Sequence, residues 1–277
     1  MIVNTMSYEQ TYQSILNDAS DLFAAITKQL PDFRKYAKRA KNPPYGRIYS
    51  WTHPVSKNKY IYFFNINRHS DWDKTPRLII ITQYDDTYGK TTIEIARDPN
   101  GNIRISIFKY HFFKRYFERN LANFEELTFD TAYDIIMAFL LRTSSTISLG
   151  SKLASLKEQE KNDPDLIDDA LLTTEGVLQC KIYRKNPNIV LFKTYLSVQD
   201  LFSGQYEEVT KNAIHVFYLR ASNDSPRYQK SIDKIYLEGI EELNRLWLDP
   251  TLPFEEKQEM RMKKYDAIID EFYKYII

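Results

Sequence analysis

The residues best equipped for chemistry in this chain fall in one run, Lys109-Tyr110-His111-Phe112-Phe113-Lys114-Arg115-Tyr116-Phe117-Glu118-Arg119. Wound as a helix at about 100° per residue, it puts His111, Arg115 and Arg119 within about 80° of one another and Phe112, Phe113, Tyr116 and Phe117 on the opposite face. An imidazole can move a proton near neutral pH, and two guanidiniums can neutralise the equatorial oxygens of a phosphorane. That is the chemistry of a metal-free phosphodiester site. The same spacing also suits a solvated helix face, with Lys114 set against Glu118 at i+4 and Arg115 against Glu118 at i+3.

A second basic set, Arg34, Lys35, Lys38, Arg39 and Lys41, follows an amphipathic stretch and is closed by Pro43-Pro44. It reads either as a nucleic-acid-binding tract or as a solvated face. His69 with Asp71 and Asp73 could make a catalytic or metal-binding loop, although a polar turn ending at Pro76 accounts for the same residues. Trp51 and the stripe Tyr60, Tyr62, Phe64 could stack bases on an open sheet. Burying one such ring removes about 150–250 Å² from water, which favours a core.

Scarcity excludes several classes. The 7 glycines stand more than ten residues apart, so neither G-x-G-x-x-G nor a P-loop can be written. No serine has a glycine two residues to each side, which removes the nucleophile elbow. His53, His69, His111 and His215 are separated by 16, 42 and 104 residues, too far for a metal-binding helix. The single cysteine, Cys180, lies in an apolar run and reads as a buried reduced thiol. The chemistry asks for no metal and no cofactor.

The pattern H-x-x-x-R-x-x-x-R at a strand-to-helix junction, followed later by a hairpin whose second strand ends Phe192-Lys193-Thr194-Tyr195, resembles the barnase/colicin/RelE-like ribonuclease toxins. The likeness spans about 15 residues of the 277. It implies a basic, metal-free site on a sheet that cleaves RNA through the 2′-hydroxyl. Carried over, it makes His111 the proton-transfer residue, Arg115 and Arg119 the phosphate binders, and Lys193 with Thr194 a second wall.

The elements that would position these residues follow from periodicity. Apolar side chains at Tyr12, Ile15, Leu16, Ala19, Leu22, Phe23 and Ile26 predict a helix over 8–30 that stops at Pro31. Five β-branched or aromatic runs, 47–51, 60–66, 78–82, 91–95 and 103–107, are joined by links too short for parallel crossovers. They predict an antiparallel meander. Helices are expected over 110–121 and 128–142, the second capped by Thr128 or Asp130, then a charged connection over 151–169, and a second hairpin over 176–196. From Gln205 onward the chain reads as helices, with Ser225-Pro226 opening one and Pro250 and Pro253 making a corner. Tyr228, Ile232, Ile235, Tyr236, Ile240, Leu243 and Trp247 are expected to face inward on the first arm of this closing αα-hairpin, and Tyr265, Ile268, Ile269 and Phe272 on the second. The fold class is α+β: a five-strand antiparallel meander plus a second hairpin, flanked by helices. Residues 1–200 form the sheet domain and 201–277 a helical region packed on it.

Residues 1–120 carry 19 Lys+Arg against 11 Asp+Glu, and residues 121–277 carry 19 against 26, so halves of +8 and −7 make up a net charge of +1. The basic half suits RNA, the acidic helical half suits docking another protein, or the two attract each other. The longest apolar run, Ile135 to Leu141, is far short of the about 20 residues that cross a bilayer, and no charged-then-apolar leader opens the chain. The sequence therefore predicts a cytoplasmic protein with no membrane partner. Its function reads as non-enzymatic interaction or binding, and the alternative is a metal-independent, ribonuclease-like or nucleic-acid-processing protein that uses His111 and Arg115.

Overall fold

A computed structural model describes residues 1–42, 45–87, 89–98, 100–121, 131–143, 145–149, 165–197, 203–248, 251 and 253–276. Among them, α1 (Tyr8–Arg39) leads into the strands β1 (Gly46–Thr52), β2 (Lys59–Asn65), β3 (Arg77–Asp86), β4 (Gly89–Arg97) and β5 (Ile103–Phe108). These form the expected antiparallel meander, each strand paired with the next. Then come α2 (His111–Tyr116), extended by a π-helical turn over Phe117–Leu121, and α3 (Ala132–Arg142). The strands β6 (Ile147–Ser148), β7 (Leu166–Leu172), β8 (Val177–Tyr183) and β9 (Ile189–Leu196) follow, and α4 (Ser203–Asp224), α5 (Gln229–Leu248) and α6 (Phe254–Tyr273) close the chain.

The sheet is larger than the meander. All the strands join one open nine-stranded sheet in the order β1-β2-β3-β4-β5-β9-β8-β7-β6. It is mixed, because β5 and β9 pair in parallel. That pairing needs a long crossover, which α2, α3 and β6–β8 supply. Two meanders thus meet at their last strands, and each is preceded by helix on the opposite face. Ile15, Leu22 and Phe33 of α1 pack on Tyr60, Tyr62, Phe64, Ile80 and Ile105. Phe112, Tyr116 and Phe139 of α2 and α3 pack on Ile61, Phe63, Phe108 and Phe192 across the sheet. Covered on both sides, β2 is apolar without interruption from Tyr60 to Phe64. The aromatic stripe is therefore core under α1 and not an open stacking platform; Tyr60 and Tyr62 are fully buried, with Tyr49 and Trp51 stacked on them.

Three further expectations are corrected. α1 runs through Pro31 to Arg39. A proline inside a helix costs about 3 kcal/mol, and the burial of Phe33 and Ala37 beyond it holds the last turns in place. The charged connection ends earlier than expected, since Leu166–Leu172 is β7. Its Asp168 faces Lys181 at 3.6 Å, and Asp169 accepts Ser148 Oγ at 2.9 Å, so cross-strand partners hold both carboxylates in the sheet. Tyr228 faces outward, 41% exposed.

α3 starts from a capping box of Thr131 and Asp134; the caps expected at Thr128 and Asp130, the remainder of the connection over 151–164, Pro43-Pro44 and Pro250 lie outside the described residues. The paired helices α5 and α6 form as expected, and Ile232, Leu243, Tyr265, Ile268 and Phe272 share a third core with α4, Ala170, Leu172 and Val177. The helical region is thus cemented to the β7 and β8 part of the sheet, one strand in from the β6 edge. No helix of the described residues is long and apolar enough to cross a membrane.

Candidate functional site

The five residues of the ribonuclease-like pattern do come together, at the point where β9 outruns β5. The parallel ladder stops at Phe108 and Phe192, whose rings stack at 4.6 Å. On its other side β9 carries a one-residue bulge: Phe192 pairs with Cys180 and Thr194 with Gln179, leaving Lys193 opposite no residue of β8. The bulge returns Tyr195 to the face occupied by Phe192, under α2 and α3. Past Phe192 no β5 residue pairs with β9, so Lys193, Thr194 and Tyr195 can be met on that side by another element.

α2 meets them. Its apolar face (Phe112, Phe113, Tyr116) is buried, which turns its basic row to β9. His111 Nε2 donates to Lys193 O at 2.8 Å, Arg115 Nη1 to Thr194 Oγ1 at 2.6 Å and Arg119 Nη1 to Tyr195 O at 2.5 Å. Residues four apart on the helix thus engage three consecutive strand residues, and the long arginine side chains absorb the mismatch between about 6 Å per four helical residues and about 3.3 Å per strand residue. A carbonyl only accepts, so Nε2 of His111 carries the proton in this bond. Lys114 sits 3.7 Å from Glu118, the solvated i+4 pair the spacing suggested.

Beside this row lies a carboxylate that sequence reasoning passed over. Glu175, in the β7–β8 turn, accepts from Tyr116 Oη at 2.5 Å and Asn120 Nδ2 at 3.2 Å and is ion-paired with Arg142. Tyr195 Oη donates to the Glu175 carbonyl. Burial, and then the Glu175 carboxylate, raise the Tyr116 pKa. Burial pulls the Arg142 pKa down, but the Glu175 carboxylate more than offsets it and the net direction is up. The turn depends on Gly176, at φ 154°, where a Cβ would lie 2.4 Å from Leu196 O. A cavity of about 380 Å³ opens here, lined by Asn120, Arg142, Glu175, Arg220 and Tyr273. The available signal was a glutamate beside a turn glycine between two apolar runs.

A second missed cluster is buried under α1. Asp18 Oδ2 accepts from Ser56 Oγ at 2.6 Å, Asn58 Nδ2 at 2.6 Å and Tyr60 Oη at 2.7 Å, with His53 Nδ1 3.4 Å from Oδ1. The residue types suggest a triad, but the connections do not make one. Ser56 Oγ donates straight to the carboxylate, while His53 Nδ1 accepts the backbone N–H groups of Val55 and Ser56 at 3.3 and 3.0 Å. Among the described residues no imidazole meets the hydroxyl, and the cluster ties the β1–β2 turn to α1.

The second basic set stands apart from the first. Arg34, Lys35, Lys38 and Arg39 occupy the last turns of α1, with Lys41 just beyond. They lie past the end of β2, where Asn65 pairs with Arg77 at the start of β3, whereas α2 follows the opposite end of the meander. His69 belongs to this end: its Nε2 is 3.1 Å from Lys38 O, and neighbouring Asp71 is bonded to Lys74 at 2.7 Å, so the polar-turn reading of the His69 loop fits its contacts. Cys180 is buried, and desolvation pushes its thiol up to about 12. Among the described residues no group of three His, Cys, Asp or Glu could hold a metal ion.

Fold and clusters define an α+β protein on one open mixed sheet with two basic regions at opposite ends of its first meander. Compared with protein-family models, curated proteins and solved structures, the chain matches none of them.

Proposed function

We propose that this chain is a non-enzymatic binding protein and that His111, Arg115 and Arg119 form a clip that finishes the sheet. The observation that carries this reading is the use of all three side chains: each is bonded to β9, two of them to backbone carbonyls beyond the point where the pairing with β5 ends. A group that must close a sheet is poorly placed to shuttle protons or to follow a migrating phosphoryl charge.

The test is a cleavage assay on a structured RNA with the full chain in chelator. The expected result is no cleavage above buffer, with His111→Ala lowering the melting temperature. A second reading, the ribonuclease-like site, is favoured by one specific observation: Lys193 and Thr194 stand against His111 and Arg115 as the resemblance requires. Cleavage by the wild type that falls more than tenfold in Arg115→Lys, which keeps charge but loses the planar fork, would establish that reading in place of the first.

A further inference from the structure

We propose that the cleft between the β2–β3 turn and the α4–α5 corner, with the basic end of α1 on its rim, binds the backbone of a single-stranded nucleic acid. This rests on the binding reading above and names its partner. The cleft encloses about 600 Å³; Asn67, Arg68, Lys74 and Arg77 line it from the sheet side, and Asp224 and Arg227 from the helical side. That volume is within the usual range for small-ligand sites and takes about one or two nucleotides.

Its charge is unbalanced. The two carboxylates are already committed, Asp71 to Lys74 at 2.7 Å and Asp224 to Arg220 at 2.6 Å. Among the described residues no carboxylate is in ion-pair contact with Arg68, Arg77 or Arg227, although Asp224 and Glu94 act on Arg77 from farther off, so three arginines line one cavity with no carboxylate held against them. Arg77 donates to Leu140 O at 2.8 Å; burial and then the Arg220 guanidinium lower its pKa, and the Asp224 and Glu94 carboxylates only partly oppose this. Guanidiniums arrayed in this way suit phosphate, whose oxygens accept their paired donors.

The rim decides between a free nucleotide and a polymer. The last turns of α1 dock on the cleft wall, since Lys38 O bonds His69 and Lys38 Nζ lies 4.8 Å over the Trp72 ring. Lys35, Lys38, Arg39 and Lys41 are exposed there, and the buried Nε of Arg34 has no hydrogen-bond partner among the described residues. A mononucleotide in the cleft would leave this row unused, whereas a strand leaving the cleft would lie along it. Asp32, the nearest acid on the helix, is bonded to Arg47 and Tyr49, and Asp73 is an exposed carboxylate on the turn. The aromatic rings select single strands. Tyr228, next in sequence to the lining residue Arg227, is 41% exposed with Arg227 4.6 Å over its ring and Tyr275 tilted against it at 5.6 Å, and half-buried Trp72, next in sequence to the lining residue Asp71, is paired with Lys38. Cation-backed rings of this kind stack unpaired bases and are of no use to a closed duplex.

The experiment is fluorescence anisotropy of the full chain against a labelled 12-mer of uridine and a labelled RNA duplex of equal length, from 50 to 300 mM salt. The expected result is binding of the single strand, with log affinity falling by about 0.7 per log salt for each phosphate neutralised. Arg68→Gln with Arg227→Gln should weaken binding more than tenfold, and Lys35→Gln with Arg39→Gln should do so as well, while both proteins keep the wild-type melting temperature. Equal binding of the duplex, competition by uridine monophosphate as strong as by the oligomer, indifference to the cleft pair, or no binding at 50 mM salt would each overturn the proposal. The two readings fail separately: a chain that binds and also cleaves RNA keeps the cleft and loses the non-enzymatic assignment, and one that neither binds nor cleaves does the reverse.

Discussion

Glu94 lies across from Ile81 on β3 and Ser106 on β5, in the middle of the sheet. Burial raises its carboxyl pKa, and the Ser106 hydrogen bond and the charges of Arg77 and Arg104 only partly oppose this. A carboxyl raised in the folded state binds its proton more tightly there than in the unfolded chain. Its penalty is therefore absent below the unfolded value, about 4.3, and grows as pH rises from there toward the folded value. Glu94→Gln removes the penalty and should raise the melting temperature near neutrality. The gap between variant and wild type should widen from pH 4.5 to pH 8; a gap that stays constant would show that packing, not ionisation, is responsible. Cys180 carries the other clear residue-scale expectation. With its thiol buried and pushed up to about 12, it should not react with a thiol reagent at pH 8 until the protein unfolds.

At the scale of elements, the clip between α2 and β9 gives the sharpest expectation. Arg119→Met takes the guanidinium from the Tyr195 carbonyl and leaves it the longer bond from Thr194 Oγ1 at 3.5 Å, and weakening the satisfaction of a partly buried acceptor costs about 1 kcal/mol or more. Arg115→Ala, which releases only a threonine hydroxyl that water can reach, should cost less than 1 kcal/mol. Denaturant melts of the two variants check the order, and a larger loss at Arg115 would contradict the clip. The row itself was legible: spacing alone put His111, Arg115 and Arg119 on one face and the phenylalanines on the other. What the row faces was not, because it depends on a bulge at Lys193 and on a parallel partner whose residues lie some 80 positions away, and neither leaves a periodic trace. The first five strands were legible because their turns are local. β7 was hidden by Asp168 and Asp169, whose charges are cancelled only by Lys181 and Ser148 on neighbouring strands. Pro31 misled in the same way, since helix propensity carries no information about the sheet that buries Phe33.

At the scale of the whole molecule, two arginines join the parts. The last turn of α3 ends in carbonyls that no later turn can bond, and each is met by a guanidinium from elsewhere: Arg77 of β3 bonds Leu140 O at 2.8 Å, and Arg220 of α4 bonds Leu141 O at 2.7 Å and Arg142 O at 2.5 Å. Arg220 is 3% exposed and is held by Asp224 at 2.6 Å, so the contact between the helical third and the sheet is centred on a buried ion pair. Such a pair is weak evidence of stability when intact, yet breaking it is costly because one charge is left behind. Arg220→Met should therefore cost about 3–5 kcal/mol by stranding Asp224 and the α3 carbonyls. Adding Asp224→Leu should recover part of that loss, since the remaining defect is then the carbonyls alone. The third core, shared by α4, α5 and α6 with β7, predicts that wild type melts in one transition; the single variant should separate the helical third into an earlier one, visible as a loss of helical circular dichroism before the aromatic near-ultraviolet signal of the sheet. If Arg220→Met melts in one step within 1 kcal/mol of wild type, the apolar core alone couples the two parts and the arginine merely fills the space between them.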